Sequence, residues 1–334
     1  MKTSSTSTMR AMVLEAFDSP LVMREVSKPV PGKSQVLIKI MASGVNPLDL
    51  KIRAGKADLA KVTLPSIPGI DAAGIVEAVG ENVTAFKPGD EVYGMMGGVG
   101  NNQGTLAEYI AVDAEALALK PRNLSMKEAA ALPLIFVTAW EGLVDRARVS
   151  MGKKVLIHGG SGGVGHIAVQ IAIALGAEVY ATDSAKGIDY LTSLGATAID
   201  YTKNTPEQYL QQYTDSEGFD VVFDTVGGET LDASFRSVRN YHGHVVSALG
   251  WGTHSIAPLS FRGATYSGIF TLLPLLTGIG KAHHAEILGH ATELIEAGKI
   301  NPRVNPENFI LEQANKAHEV LQNKAGVGKV VVTI

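Results

Sequence analysis

The chain has 334 residues, about twice the length of an ordinary domain, so we expect two domains. Hydrophobic residues make up 46% and charged residues 19%, and 29 Lys and Arg against 33 Asp and Glu give a net charge of −4. This balance argues against a basic surface for nucleic acid or an anionic membrane. Cysteine is absent, which excludes disulfides, thiol nucleophiles and thiolate zinc sites.

The chain opens on a short polar segment that lacks the apolar core of a secretory signal. We therefore predict that residues 1–9 are a disordered tail or a non-native remnant. Glycine and proline interrupt the longest uncharged stretch, residues 263–280, so it lacks the roughly 20 continuous apolar residues of a membrane span. We expect a cytoplasmic protein with neither a membrane nor a nucleic-acid partner.

Short β-like runs separated by glycine and proline turns extend from residue 10 to about residue 120 and predict a small barrel or sandwich. One helix interrupts them, with Asn46 as its N-cap, Pro47 at its first position and Gly55 after its end. From residue 126 the pattern changes. A helix over 126–144, which Pro133 must kink or divide, precedes the alternating strands and helices of βαβ units.

A glycine-rich loop lies in the first of these units. Gly160, Gly162 and Gly165 form G-x-G-x-x-G after an apolar strand and at the start of an amphipathic helix, which is the context that this motif requires. The first glycine allows the tight turn, the second lets the backbone approach a pyrophosphate, and the third packs helix against strand. The helix start favours the phosphate charge. The loop therefore predicts a dinucleotide site, with contacts from Gly160, Ser161, Gly162, Gly163, Val164 and Gly165.

The residues that select the dinucleotide conflict. Asp183 ends the second strand of the βαβ region, where an acid accepts a hydrogen bond from the adenosine ribose and repels a 2′-phosphate, which favours NAD. Ser184 and Lys186 stand beside it and could instead hold that phosphate. The local residues leave the choice open.

Four further motifs follow in a defined order. They are Gly44-Val-Asn-Pro-Leu-Asp49, the stretch Pro68–Gly80, Leu132-Pro to Thr138-Ala, and Asp224-Thr-Val-Gly-Gly228. With the glycine-rich loop, they make the chain resemble the medium-chain dehydrogenase/reductase superfamily, in particular its zinc-independent quinone oxidoreductase branch. The resemblance implies an α/β protein with a Rossmann doubly wound parallel sheet and a GroES-like, mainly β barrel catalytic domain. It places the catalytic domain at 10–125, the Rossmann domain at 126–265 and a return to the catalytic domain at 266–334.

The same resemblance implies the remaining cofactor contacts and favours NADP, with NAD as the alternative. Besides the loop, Asp183, Ser184 and Lys186, it implies contacts from Asn46, Thr138, Tyr201, Val226, Leu249, Gly250, Phe270 and Lys329. Asn46 has a second interpretation as the helix N-cap alone.

Two departures from the family pattern matter. Ile70-Asp71 stands where the zinc branch carries the His and Glu of G-H-E, so we expect no metal site. Lys51 stands where many members have a tyrosine; it could act as a cation in the pocket, although we favour a solvent-facing side chain. The candidate catalytic residues are Asn46, Lys51 and, more weakly, Asp49.

The function expected from the resemblance is hydride transfer from NAD(P)H to a small quinone or α,β-unsaturated carbonyl. An enoyl thioester reductase is a weaker alternative, because Lys51, Arg53 and Lys56 are the basic residues near the expected cleft and no further basic cluster is there for the CoA phosphates. A cofactor-binding redox sensor with little turnover is the alternative from another class. By family analogy, a strand over 265–271 pairs with its symmetry mate in a homodimer.

Overall fold

The computed structural model describes residues 7–334. Its strands are β1 Thr8–Val13, β2 Val22–Ser27, β3 Gln35–Gly44, β4 Asp71–Val79, β5 Glu91–Met95, β6 Tyr109–Asp113, β7 Ala118–Leu119, β8 Lys154–His158, β9 Glu178–Asp183, β10 Thr197–Asp200, β11 Val221–Asp224, β12 His244–Ser247, β13 Thr265–Gly268, β14 Phe309–Ile310 and β15 Val331–Thr333. Its α-helices are α1 Pro47–Arg53, α2 Met126–Ala130, α3 Pro133–Trp140, α4 Gly163–Ala174, α5 Ala185–Ser193, α6 Pro206–Thr214, α7 Glu229–Ser237, α8 Ala257–Arg262, α9 Leu273–Thr277, α10 Lys281–Glu296 and α11 Ala314–Gln322. No helix in this part of the chain is long and apolar enough to cross a membrane.

The chain forms two compact units. The first comprises Met1–Leu134, Leu272–Gly298 and Pro302–Ile334, and the second comprises Ile135–Thr271 and Lys299–Asn301. The helix predicted over 126–144 is divided at Pro133, which begins α3, and the chain enters the second unit within that helix.

The first unit is built around the long strand β3. One edge of β3 pairs with β4, while its other edge pairs with β6 along its first half and with β15 along its second half, all antiparallel. The sheet order is β14-β15-β3-β4-β5-β7, with β6 attached to β3. The C-terminal segment therefore closes the sheet, and the pairing of Val331 with Gly44 brings the end of the chain beside the start of α1.

The second unit contains a six-stranded sheet in the order β10-β9-β8-β11-β12-β13. Every neighbouring pair is parallel. This is the doubly wound order 3-2-1-4-5-6, and it confirms the predicted Rossmann sheet. Leu156, Val222 and Val245 form the centre of a buried apolar cluster within it.

Three predicted limits differ from the observed ones. The first unit extends to Leu134, past the predicted boundary at 125/126. Thr8 and Met9, placed in the predicted tail 1–9, open β1 and pair with β2, because Met9 is buried among apolar neighbours. Residues 1–6 of that tail lie outside the described residues. The predicted boundary at 265/266 cuts β13, which pairs with β12 and so belongs to the second unit.

Candidate functional site

The carboxyl edge of the parallel sheet gathers most of the predicted cofactor residues. The glycine-rich loop follows β8, Asp183 ends β9 with Ser184 and Lys186 after it, and further residues follow the next four strands. These are Tyr201 after β10, Val226 after β11, Leu249 and Gly250 after β12, and Phe270 after β13. Ligands of open α/β sheets bind at this edge. Three predicted contacts lie elsewhere: Thr138 is buried within α3, and Asn46 and Lys329 belong to the first unit.

The glycine-rich loop has the shape that a pyrophosphate requires. A Cβ on Gly165 would lie 2.1 Å from the Gly159 carbonyl oxygen, and one on Gly160 would lie 2.8 Å from the Ala181 Cβ, so close packing requires both glycines. A Cβ on Gly162 would meet only the Gly159 oxygen, at 3.2 Å, which leaves that backbone open to a ligand. Gly162 is the N-cap of α4 and no side chain caps the helix. Its first amides are therefore free to bind a phosphate.

The Asp183 carboxylate is already bound within the loop region. Its Oδ2 accepts a hydrogen bond from the Ser161 N–H at 2.9 Å, and its Oδ1 accepts one from the Ser184 N–H at 2.7 Å. A Cβ on Gly187 would lie 2.6 Å from the carboxyl carbon, so the carboxylate packs against the start of α5. Asp183 thus fixes the glycine-rich loop to β9, whereas Lys186 and Tyr201 beside it are exposed.

The first unit contains a buried polar cluster formed by Asn46, Asp49, Asp71 and Lys329, which we call the buried charge cluster. None of the four is more than 6% exposed. The Asn46 side chain donates to Asp71 Oδ2 at 2.9 Å and accepts from the Lys329 ammonium. Lys329 also donates to the Val45 carbonyl at 3.1 Å. The other Asp71 oxygen accepts from the Leu134 N–H at 3.0 Å.

Asn46 is the N-cap of α1, but its side chain does not cap the helix. Instead, Asp49 Oδ2 accepts the Asn46 N–H at 2.7 Å, the returning half of a capping box. This leaves the Asn46 amide group to bind Asp71 and Lys329. Asn46 therefore binds charged side chains in addition to its place at the start of α1, and its contact with the cofactor stays a prediction.

Burial dominates the electrostatics of the cluster. It raises the pKa of Asp49 to about 7, with a further increase from the Asp71 charge, although the Asn46 N–H and Lys329 act in the opposite direction. Burial also raises the pKa of Asp71 to about 6, opposed by Lys329 and Asn46, and it lowers the pKa of Lys329. Asp49 Oδ1 is buried without a hydrogen-bond partner among the described residues. The cluster can therefore hold a proton near neutral pH.

Lys51, the third predicted catalytic residue, is separate from this cluster. It lies in the last turn of α1 and its side chain is exposed. Sequence reasoning included Asn46, Asp49 and Lys329 but missed Asp71 as a site residue. A signal existed, since Asp71 is a charged residue beside Ile70 at the start of the apolar strand β4.

Comparison with known proteins agrees with this architecture. Residues 32–122 match the alcohol dehydrogenase GroES-like domain, and residues 194–332 match the zinc-binding dehydrogenase family. A crystal structure of an alcohol dehydrogenase superfamily protein from Novosphingobium aromaticivorans has a TM-score of 0.96 and 51% identity, over 98% of this chain and 100% of that one.

Curated relatives cover most of the chain as well. A 2-methylene-furan-3-one reductase of Solanum lycopersicum is 39% identical over 92% of this chain and 74% of its own. A chloroplastic NADPH-dependent alkenal/one oxidoreductase of Arabidopsis thaliana is 36% identical over 95% and 75%. A quinone oxidoreductase of Sus scrofa is 32% identical over 98% of both chains.

A Rossmann sheet with a glycine-rich loop and a GroES-like β unit in one chain define a class of dinucleotide-dependent dehydrogenases and reductases. The chain belongs to the medium-chain dehydrogenase/reductase superfamily, within its quinone oxidoreductase-like branch.

One matching family is named for zinc binding, but the residues present here do not suit a zinc ion. Over residues 7–334, no three His, Cys, Asp or Glu side chains lie where they could share a metal. Both Asp71 oxygens are bound by N–H donors, and the Lys329 ammonium in the same cluster would repel a divalent cation.

Proposed function

We propose that this protein is a zinc-independent, NADPH-dependent reductase of quinones or α,β-unsaturated carbonyl compounds. The main observation in support of a dinucleotide site is the glycine-rich loop, whose backbone is open at Gly162 and whose helix start has no side-chain cap. The relatives named as a quinone oxidoreductase, an alkenal/one oxidoreductase and a furanone reductase support the acceptor class.

A bound reduced nicotinamide supplies a hydride at C4 of its ring. The chain binds and orients that group. The amides at the start of α4 hold the pyrophosphate, and the loops after β10, β11 and β12 hold the rest of the molecule.

The buried charge cluster supplies fixed charge without a metal. Asp71 and Lys329 bind the two ends of the Asn46 amide, so its orientation is set by charged groups. Asp49 holds the backbone at the start of α1 and can retain a proton near neutral pH. In this proposal Asn46 and Asp49 fix the start of α1 and set the local charge in the first unit, the predicted catalytic domain. Lys51 faces solvent.

The geometry around Asp183 supports NADPH over NADH. Because two backbone N–H groups already bind the Asp183 carboxylate, its main role is to fix the loop. Ser184, Lys186 and Tyr201 remain beside it, and an exposed ammonium suits a 2′-phosphate.

Binding measurements test this choice. We expect Lys186→Ala to raise the Kd for NADPH about tenfold, as for the loss of one charge-assisted hydrogen bond, and to leave NADH binding unchanged. Asp183→Ala should weaken both nucleotides, with Asp189→Ala, exposed on α5, as the control. NADH binding that is tighter in the wild type, with the order reversed by Asp183→Ala, would establish NAD as the cofactor.

Turnover separates the enzyme from the other functions. We expect chelator-treated protein to oxidise NADPH with simple quinones and enones. Cofactor binding without turnover on any acceptor would support a redox sensor. A strong preference for an enoyl-CoA would establish a thioester reductase, and activity that depends on added zinc would exclude the proposed mechanism.

We also propose a homodimer that forms through β13. This strand is at the edge of the six-stranded sheet and three of its four residues are exposed. An exposed edge offers unpaired backbone groups to a second copy related by a two-fold axis. Sedimentation should give a dimer at micromolar concentration; a monomer there would exclude this assembly.

A further inference from the structure

Four polar residues form one row at the carboxyl ends of the four central strands of the parallel sheet. In register they are Thr182 on β9, His158 on β8, Asp224 on β11 and Ser247 on β12. We call them the polar row; none is more than 4% exposed. Strands of such sheets are usually apolar throughout, and buried polar groups are costly unless hydrogen-bonded. The hydrogen-bond partners of these four side chains therefore show which parts of the structure the polar row holds in place.

Asp224 holds the loop after β11. Its Oδ1 accepts hydrogen bonds from the Val226 N–H at 3.0 Å and the Gly227 N–H at 2.9 Å. Its Oδ2 accepts the Ser247 hydroxyl at 2.7 Å. His158, its neighbour in the row, is uncharged near neutral pH because burial lowers its pKa to about 4. The Asp224 carboxylate is thus held by N–H and O–H donors.

Ser247 extends this arrangement to the loop after β12, because its hydroxyl oxygen also accepts the Leu249 N–H at 3.1 Å. The two loops touch. Gly227 has a φ of +80°, and a Cβ on it would lie 2.6 Å from the Leu249 carbonyl oxygen. One carboxylate and one hydroxyl therefore set the positions of Val226 and Leu249 together.

The other half of the row serves the glycine-rich loop. The His158 ring is 2.9 Å from the Thr182 hydroxyl through Nδ1. The Thr225 hydroxyl, on the loop after β11, links the two halves by donating to the His158 carbonyl at 2.7 Å. His158 directly precedes Gly159, where the loop begins. The row thus divides into a Thr182–His158 half beside β9 and an Asp224–Ser247 half beside β12.

This division matches the two halves of a dinucleotide. In the order 3-2-1-4-5-6, each set of three strands binds one mononucleotide, and the acidic position after the second strand faces the adenosine ribose. The adenosine half therefore belongs to β8, β9 and β10, and the nicotinamide half to β11, β12 and β13.

We propose, on the basis of the dinucleotide binding proposed above, that Asp224 and Ser247 are positioning residues for the nicotinamide half alone. They act through Val226 and Leu249. Removing the Ser247 hydroxyl loosens both loops and leaves the adenosine half of the site intact.

Two probes, NADPH and adenosine 2′,5′-bisphosphate, test this division by titration calorimetry on the full chain. We expect Ser247→Ala to raise the Kd for NADPH about tenfold, the effect of one hydrogen bond to a charged group. The Kd for the bisphosphate, which contains only the adenosine half, should stay the same. Ser247→Thr, which keeps the hydroxyl, should restore NADPH binding.

Ser234→Ala is the matched control. Ser234 is also fully buried in the second unit, but its hydroxyl donates only to the Thr230 carbonyl in its own helix, at 2.8 Å. We expect it to change neither Kd. Asp224→Asn should show the same selectivity as Ser247→Ala with a larger effect on NADPH.

A different pattern would overturn the inference. Equal weakening of both probes by Ser247→Ala would show general loosening of the unit, and no change in either would show that the pair positions nothing. Wild-type protein that binds neither probe would instead refute the proposed dinucleotide site, and the inference with it.

Discussion

In the second unit, the candidate cofactor residues other than Thr138 lie within a few positions of strand ends, and the backbone amides of Ser161 and Ser184 hold the Asp183 carboxylate. In the first unit, Asn46, Asp71 and Lys329 come from distant segments and hold one another through charged side chains. The first arrangement depends on backbone shape and the second on charge balance. Substitutions that remove charge and substitutions that remove space should therefore affect the two units differently.

The largest effect is expected from the loss of the cluster's cation. Lys329→Met leaves Asp71 and Asp49 buried without an opposite charge, which should lower the free energy of unfolding by about 3–5 kcal/mol. Urea unfolding measures this. The control Lys33→Met removes an exposed ion pair with Glu81 and should change stability by less than about 1 kcal/mol.

A double variant sharpens the result. If charge imbalance is the cause, Asp71→Asn in the Lys329→Met background should recover part of the lost stability. Additive losses from the two substitutions would show that Lys329 acts through packing.

The next largest effect is expected in the pH dependence of stability. Folding raises the pKa of Asp49 from 3.8 to about 7. The contribution of Asp49 to the free energy of unfolding is therefore fully present below about pH 4 and is lost as the pH rises towards 7. Asp49→Asn should therefore match the wild type in acid and exceed its unfolding free energy by on the order of 2–4 kcal/mol at pH 8. Urea unfolding across this range tests it, and a constant difference between the two proteins would contradict a raised pKa.

A smaller effect is expected from a methyl group in the glycine-rich loop. Gly165→Ala places a Cβ against the Gly159 carbonyl and should cost about 1–3 kcal/mol together with most NADPH affinity. Gly289→Ala is the control, because Gly289 lies within α10 and a Cβ there meets nothing within 4 Å. It should stabilise the protein by up to about 1 kcal/mol. Equal behaviour of the two variants would contradict the packing role of Gly165.

The smallest effect is expected at Lys51. As an exposed side chain, Lys51→Ala should change kcat/KM by less than about threefold, within the usual range for surface substitutions. Steady-state kinetics with a quinone measures this. A tenfold fall in kcat at unchanged KM would make Lys51 a catalytic residue.

The sequence predicted the second unit well because its signals are local. The glycines, the strand before them and the periodic helix after them all lie within about 20 residues. In the first unit, α1 is predictable for the same reason, from Asn46, Pro47 and Gly55 around it. Asp224 begins one of the sequence motifs, but its hydrogen bonds to two loops depend on the pairing of β11 with β12.

The buried charge cluster could not be predicted as a unit. Lys329 reaches Asn46 because β15 pairs with the end of β3, and the Val45 N–H donates to the Val330 carbonyl at 2.9 Å. No local pattern shows that contact between residues so far apart in the chain. The direction of the Asn46 side chain, away from its own helix end, depends in turn on Asp71 and Lys329.

The proposed reduction proceeds by hydride transfer from bound NADPH without a metal. We would use NADPH that carries deuterium at both C4 positions, with chelator-treated protein and a simple enone, and analyse the product by mass spectrometry. We predict that one deuterium reaches the β-carbon and that chelator treatment does not lower the rate. An unlabelled product, or labelling that appears only after zinc is added, would contradict the claim.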